Sequence, residues 1–408
     1  VLEAVAAGIE GRREEFARLI TLETGKPITY SRIETDRAIF TFRTSAEEAK
    51  RIEGVLLPLD LSPSGGHRRA IVQRFPLGPI AAITPFNFPL NLVAHKVGPA
   101  IAAGNTFVLK PSSNAPRVAL LLGAVLEKAG CVSGACNIVP CASDEAVQLV
   151  TDERIKLLTF TGSPAVGWPL KSAAGKKRVV LELGGNAGVI VDRSADLDAA
   201  VPKLVSGSFA NAGQSCIAVQ RIYVHAARYE KFLEGFLSAT KDVMVGDPDE
   251  ERTVVGPMIT EDAAAKVQAW VEEAVRSGGR LLAGGARHGA VMQPTVLADV
   301  DPTLPVCSQE VFAPVVVLES FTDFRDAVGR VNASEFGLQA AVFSNNFGNI
   351  VYAYEHLEVG GVIVNEASTY RMDHMPYGGV KDSGFGREGV RYAIEEMTEM
   401  KLLSLPSA

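Results

Sequence analysis

The feature that most constrains this chain is a repeated alternation of short apolar runs with helix-length periodic segments between Pro79 and Leu183. Ile80–Thr84 precedes a helical pattern at 91–103, Thr106–Leu109 one at 115–129, Cys136–Val139 one at 144–150, and Leu157–Phe160 one at 165–173, before Val179–Leu183. Apolar runs too short for helices, each followed by a 3.6-residue period, predict βαβ units. Their strands form a largely parallel sheet with helices on both faces, and the ligand site is expected at the carboxyl ends of the strands. A second αβ region runs from Gly184 to Gly384, with strands expected at 187–191, 221–225, 315–319, 340–343 and 362–365. The expected fold class is α/β, with two open parallel-sheet domains.

Two stretches break the rhythm. Residues 54–75 hold Val55-Leu56-Leu57, a turn cluster at Ser62-Pro63-Ser64-Gly65-Gly66, and Arg69-Ala70-Ile71-Val72, which is hairpin chemistry; residues 401–405 form another short strand candidate. An extended hairpin has edges to cover. These segments are expected to pair between subunits, with a flap packed on its own domain as the alternative. The N-terminus begins at Val1 inside helical periodicity, which reads as a chain cut upstream.

Composition closes off other classes. With 408 residues the chain has room for two or three cores, and a net charge of −7 gives nucleic-acid binding no electrostatic support. The longest uncharged apolar helix-like run, Val118 to Leu126, is far short of a bilayer span. Five cysteines, at 131, 136, 141, 216 and 307, match neither zinc-ligand spacing nor a disulfide framework, so no metal is expected and a reducing cytoplasm is the simplest setting.

Several motifs sit just after predicted strands. Gly213-Gln214-Ser215-Cys216 places one cysteine in a loop after a glycine-containing turn, where a nucleophile or an inert thiol would fit. Glu182 ends a strand beside Gly184-Gly185, a position for a general base or for a solvated strand end. In Thr84-Pro85-Phe86-Asn87-Phe88-Pro89 a rigid frame surrounds one amide that suits an oxyanion, or that simply turns the chain into a helix. Phe160-Thr161-Gly162-Ser163 opens a helix whose N-terminus suits a pyrophosphate, although its G-S-x-x-x-G spacing departs from the dinucleotide fingerprint. Lys110-Pro111-Ser112-Ser113 offers a cation beside hydroxyls, or a plain surface lysine.

Taken together and in this order, these motifs resemble the aldehyde dehydrogenase superfamily over nearly the whole chain, joined by Glu310-Val311-Phe312-Ala313-Pro314 and Pro376-Tyr377-Gly378-Gly379-Val380-Lys381. The look is similar to lactaldehyde and succinate-semialdehyde dehydrogenases. The resemblance implies a cofactor domain at 1–54 and 77–183, a catalytic domain at 184–384, and an oligomerisation element at 55–76 and 398–408, with a homodimer or homotetramer as the assembly. It implies that Cys216 attacks an aldehyde carbon, that Asn87 and the Cys216 N–H hold the oxyanion, that hydride passes to the cofactor, and that Glu182 activates the water releasing a carboxylic acid. The cofactor, NAD or NADP, is implied to lie against Thr84, Pro85, Phe86, Lys110, Ser112, Ser113, Phe160, Gly162, Ser163, Val166, Leu183, Gly184, Glu310 and Phe312. Many NAD-preferring members have a glutamate three positions after the ribose lysine, whereas Ser113 stands here, so NADP is admissible.

Phe88, Arg371 and Tyr377 are the expected substrate contacts. The loop at 366–375, where the family varies its aldehyde pocket, offers Tyr370, Arg371 and His374 and points to a small polar aldehyde; Arg371 is expected either to hold a substrate anion or to pair with an acid such as Asp373. Two rivals remain at this point. One is a coenzyme-A-acylating enzyme, which the glutamate at 182 argues against, and the other is a catalytically silent scaffold, which the set Cys216, Glu182 and Asn87 argues against.

Overall fold

In the computed structural model, which describes residues 1–406, the predicted alternation forms a six-stranded sheet. Across it the strands run in the order Gly384–Phe385, Arg178–Glu182, Leu157–Thr161, Ile80–Ile83, Phe107–Lys110 and Cys136–Ile138; the first is an antiparallel edge and the rest are parallel. Its inner strands are apolar without alternation because helices bury both faces. Register aligns their ends: Ile83 lies opposite both Lys110 and Phe160, and Thr161 lies opposite Glu182. The motif residues therefore line up along one rim.

Three N-terminal helices, Leu2–Glu10, Arg13–Thr24 and Ile28–Ala49, cover one face of this sheet, with Val5, Phe16 and Phe42 in the same core as Ile80, Leu90 and Val180. Full burial of each of those phenylalanines is worth about 1.5–3 kcal/mol. After residue 384 the chain returns to this unit, as Val390, Ile394 and Met397 join the same core.

The second sheet has seven strands in the order Arg280–Ala283, Thr295–Ala298, Val315–Phe321, Val219–His225, Ala187–Val191, Gln339–Phe343 and Gly361–Val364. All its pairings are parallel except the first. The five strands expected here are present. Two further strands complete the sheet: Arg280–Ala283 is a short, largely exposed edge without apolar contrast, whereas Thr295–Ala298 is fully buried but only four residues long and opens on a threonine after Pro294.

The hairpin forms as expected, Val55–Pro58 against Arg68–Pro76, but the expected pairing between subunits is corrected in one respect. The terminal strand Thr398–Pro406 runs antiparallel along Arg68–Pro76 of the same chain, from Arg68 opposite Pro406 to Pro76 opposite Thr398. Nine consecutive residue pairs close that edge locally, so the chain itself supplies the third strand. Residues 407 and 408 of the expected oligomerisation element lie outside the described residues.

Candidate active site

The loop bearing Cys216 is set by backbone conformation. After the helix Leu197–Phe209 and Ala210 come three successive left-handed residues, Asn211, Ala212 and Gly213, with φ of 53°, 54° and 66°. An alanine in that region costs about 1–2 kcal/mol, so the surrounding structure must hold the turn in place. Gly213 is obligatory there: a Cβ on it would stand 2.1 Å from the Ala313 carbonyl oxygen. Glycine is also required at 185, where a Cβ would stand 2.0 Å from the Cys216 carbonyl oxygen. The Gly184-Gly185 pair thus lets the nucleophile loop seat directly on the end of the strand carrying Glu182.

Residues from both units line one cavity of about 510 Å³. It joins Pro85, Phe86, Asn87 and Phe88 from the first rim to Cys216, Glu310, Phe312, Arg371 and Tyr377 from the second unit, with Glu182, Leu183 and Gly184 between them. Gly162 and Ser163 also reach it. Lys110, Ser112, Ser113, Phe160, Val166 and Thr84 do not line it. They sit along the same strand ends, where Lys110 Nζ donates to Ser113 Oγ at 3.4 Å and Val166 is exposed on the following helix.

The Cys216 thiol and the Tyr377 hydroxyl share a hydrogen bond of 3.2 Å. Burial pushes this thiol up to about 12, against the Tyr377 hydrogen bond and the Arg371 charge, which favour the thiolate. The Asn87 side chain donates to the Gln214 carbonyl at 3.1 Å, and its second N–H and the Cys216 backbone N–H make no bond to the described residues. Both carboxylate oxygens of Glu182 are buried without a hydrogen-bond partner. Desolvation, reinforced by nearby Glu388, holds this carboxyl well above the usual carboxylate range. Burial also raises Glu310, to about 7, against a 3.0 Å hydrogen bond from the Gly185 N–H. Phe312, itself at φ 52°, meets Phe86 edge-on with ring centroids 6.0 Å apart.

The expectation for the loop at 366–375 is corrected. Tyr370 and His374 are exposed, and only Thr369 and Arg371 of this loop line the cavity, whose other walls include Phe86, Phe88, Leu92, Ile217 and Phe312. Turns at 368–369 and 373–374 point Tyr370 and His374 to the surface, while Ser368 and Asp373 are buried against other partners. Arg371 does not pair with Asp373, which is held instead by Arg37 at 2.6 Å and His95 at 2.9 Å. Its Nη2 lies 3.2 Å from Glu388, its guanidinium stacks on the Tyr377 ring at 3.6 Å, and its Nε is buried without a partner.

Sequence reasoning missed a set of buried charges around this cavity. Lys26 pairs with Glu34 and lies 3.8 Å above the Phe88 ring. Lys96 bonds Glu388 and Thr159, each at 2.9 Å. Burial opposes ionisation of Glu388, but Lys96, His95 and Arg371 outweigh it and hold that carboxyl at about 2. A signal was present for one of them: His95-Lys96 interrupts an otherwise apolar helix, Asn91–Ala102, and both are about 1% exposed.

Comparison with known proteins agrees with this arrangement. The aldehyde dehydrogenase family profile matches residues 1–403. The 3-sulfolactaldehyde dehydrogenase of Priestia aryabhattai is 46% identical over 406 residues, covering 99% of this chain and 85% of that protein. Aldehyde dehydrogenase 21 of Physcomitrella patens, solved in complex with the reaction product succinate, superposes with a TM-score of 0.98 at 49% identity, covering 99% of this chain and 85% of that one. The glyceraldehyde-3-phosphate dehydrogenase of Methanocaldococcus jannaschii, solved with NADP, gives a TM-score of 0.95 at 40% identity, with coverage of 100% and 88%. With the motifs in order, the two sheets in place and a profile spanning nearly every residue, this chain belongs to the aldehyde dehydrogenase family.

Proposed function

We propose that this protein oxidises a small aldehyde bearing an anionic group to its carboxylic acid, through a thioester on Cys216. The observation that carries the substrate class is Arg371, a buried guanidinium in the cavity wall whose Nε has no partner and whose single carboxylate contact, Glu388, leaves donors free. An unsatisfied buried donor is costly, and a substrate carboxylate, sulfonate or phosphate would satisfy it. Succinate in the Physcomitrella structure and the sulfolactaldehyde named for the Priestia relative are of that class.

The residues fit a nicotinamide dinucleotide. Thr84 Oγ1 and Thr161 Oγ1 are buried at the strand ends without partners, and Ser163 caps the helix Pro164–Ala173 with its hydroxyl unused. The helix N-terminus suits a pyrophosphate, and Lys110 with Ser113 suits a ribose; Ser113, unlike a glutamate, does not repel a 2′-phosphate, so NADP is admissible beside NAD. When bound, the nicotinamide supplies the hydride acceptor, with Glu310 and Phe312 positioning it. Cys216, as thiolate steadied by Tyr377, forms the bond to the aldehyde carbon. The free N–H groups of Asn87 and Cys216 receive the developing oxyanion. Glu182, raised by burial, takes the proton of the water that cleaves the thioester.

The five cysteines, none in a disulfide, suit a reducing compartment such as the cytoplasm. The test is reduction of NAD and NADP with a panel of short aldehydes, using the wild type, Cys216→Ala and Arg371→Ala. Cys216→Ala should abolish oxidation while retaining cofactor binding. Arg371→Ala should raise KM by about tenfold or more for succinate semialdehyde and little for propanal, the loss of one charge-assisted contact. Equal effects on both aldehydes would overturn the anionic class, and turnover by Cys216→Ala would overturn the mechanism.

A further inference from the structure

Away from the cavity, two cysteines stand side by side. Cys131 follows the helix Pro116–Lys128, and Cys136 opens the outermost strand of the six-stranded sheet, Cys136–Ile138. The four residues between them form a tight turn, with the Ala135 N–H donating to the Val132 carbonyl at 3.0 Å. Both ends of the turn are tied down: the Cys131 N–H donates to Leu126 at 3.2 Å, and the Phe107 N–H donates to Ala135 at 2.9 Å. This geometry holds the two Sγ atoms 3.0 Å apart, against about 2.05 Å in a disulfide. Both cysteines are partly exposed and both are free thiols, and Val132 at the turn is 75% exposed.

We propose that Cys131 and Cys136 form a reversible redox site that reacts with low-molecular-weight disulfides of the glutathione type, separate from the catalytic Cys216. The Cys131 thiolate attacks one sulfur of the small disulfide, forming a mixed disulfide and expelling the other half as a thiolate. The Cys136 sulfur then attacks Cys131 Sγ, the mixed bond breaks, and the second small thiol leaves with the proton that Cys136 gives up. Two protein thiols are oxidised to one disulfide and one small disulfide is reduced to two thiols. Cys131 attacks first because the Cys136 S–H is engaged as donor to Cys131 Sγ, and burial raises the Cys136 thiol. The second step is intramolecular between sulfurs already in contact, so it outruns release of the mixed adduct.

The experiment uses the full-length protein and oxidised glutathione as the probe, followed by alkylation, digestion and mass spectrometry. In the wild type the peptide carrying both cysteines should lose two hydrogens and carry no glutathione, and dithiothreitol should restore it. Cys136→Ser should trap a stable glutathione adduct on Cys131, whereas Cys141→Ser should leave the bridge intact. Persistent glutathione on wild-type Cys131, two thiols that both remain alkylatable, or a bridge lost in Cys141→Ser would each overturn the proposal. Aldehyde oxidation by unoxidised Cys136→Ser should equal the wild type, which separates this site from the reading of Cys216.

Discussion

Glu182 ends its strand with both carboxylate oxygens buried and unpartnered, so the folded protein resists ionising it. As a water-activating base it must be ionised, and the Cys216 thiol, raised to about 12, must also lose its proton. Both requirements have the same sign: a raised acid pKa means that more of the active form accumulates as pH rises. The initial burst of reduced cofactor should therefore quicken from neutral to alkaline pH, as stopped-flow absorbance would show. Glu182→Gln should keep one burst per site and lose steady turnover by about 10²-fold or more. A variant that turns over many times at the wild-type rate would assign the base elsewhere. Ser113 offers a second residue-scale test. Ser113→Glu would set a carboxylate beside Lys110, and KM for NADP should rise about tenfold while NAD is little affected, as parallel titrations would report.

At the scale of elements, the turn between the helices Arg13–Thr24 and Ile28–Ala49 turns Lys26 inward onto Glu34, itself buried on the second of those helices. Glu34 does two jobs, since its other oxygen accepts from the N–H groups of Leu90 and Asn91 at 2.8 and 3.2 Å, where the helix Asn91–Ala102 begins. That helix carries His95 and Lys96 toward Asp373 and Glu388, so one carboxylate anchors the element that supplies the cavity's buried charges. Glu34→Ala leaves Lys26 unpaired in the interior and should lower stability by about 3–5 kcal/mol, measured from the denaturant midpoint. Lys26→Met with Glu34→Leu should recover part of that loss, because removing both charges avoids the unpaired one. A Glu34→Ala variant as stable as the wild type would show that this ion pair contributes little.

For the molecule as a whole, the three-stranded sheet leaves Leu56, Leu402, Leu403 and Met400 more than half exposed. We propose that this surface joins a second copy of the chain, as the apolar residues and uncapped outer edges favour. Light scattering should then return a multiple of the chain mass, and Leu56→Asp with Leu402→Asp should shift it toward the single chain. A wild-type monomer would refute this assembly. The strand Thr398–Pro406 is paired along its inner edge within the chain, and its outer edge is one of the two left for that second copy.

The sequence by itself determined the two-sheet architecture and the rim on which the motifs sit. Strands buried on both faces must be apolar throughout, and short uninterrupted apolar runs such as Ile80–Ile83 and Ala187–Val191 are visible without any partner in view. It also singled out Cys216, Glu182, Asn87 and Arg371, each in a distinctive local motif or loop, and all four line one cavity. Only the tertiary structure decided how those groups are tuned. Arg37 meets Asp373 across 336 positions, Lys96 meets Glu388 across 292, and Arg371 takes Glu388 rather than the acid two residues away. Local spacing carries no record of such pairs, since a charge is stabilised by whatever the fold brings within a few ångströms in a low-dielectric interior, and chain distance does not enter that energy.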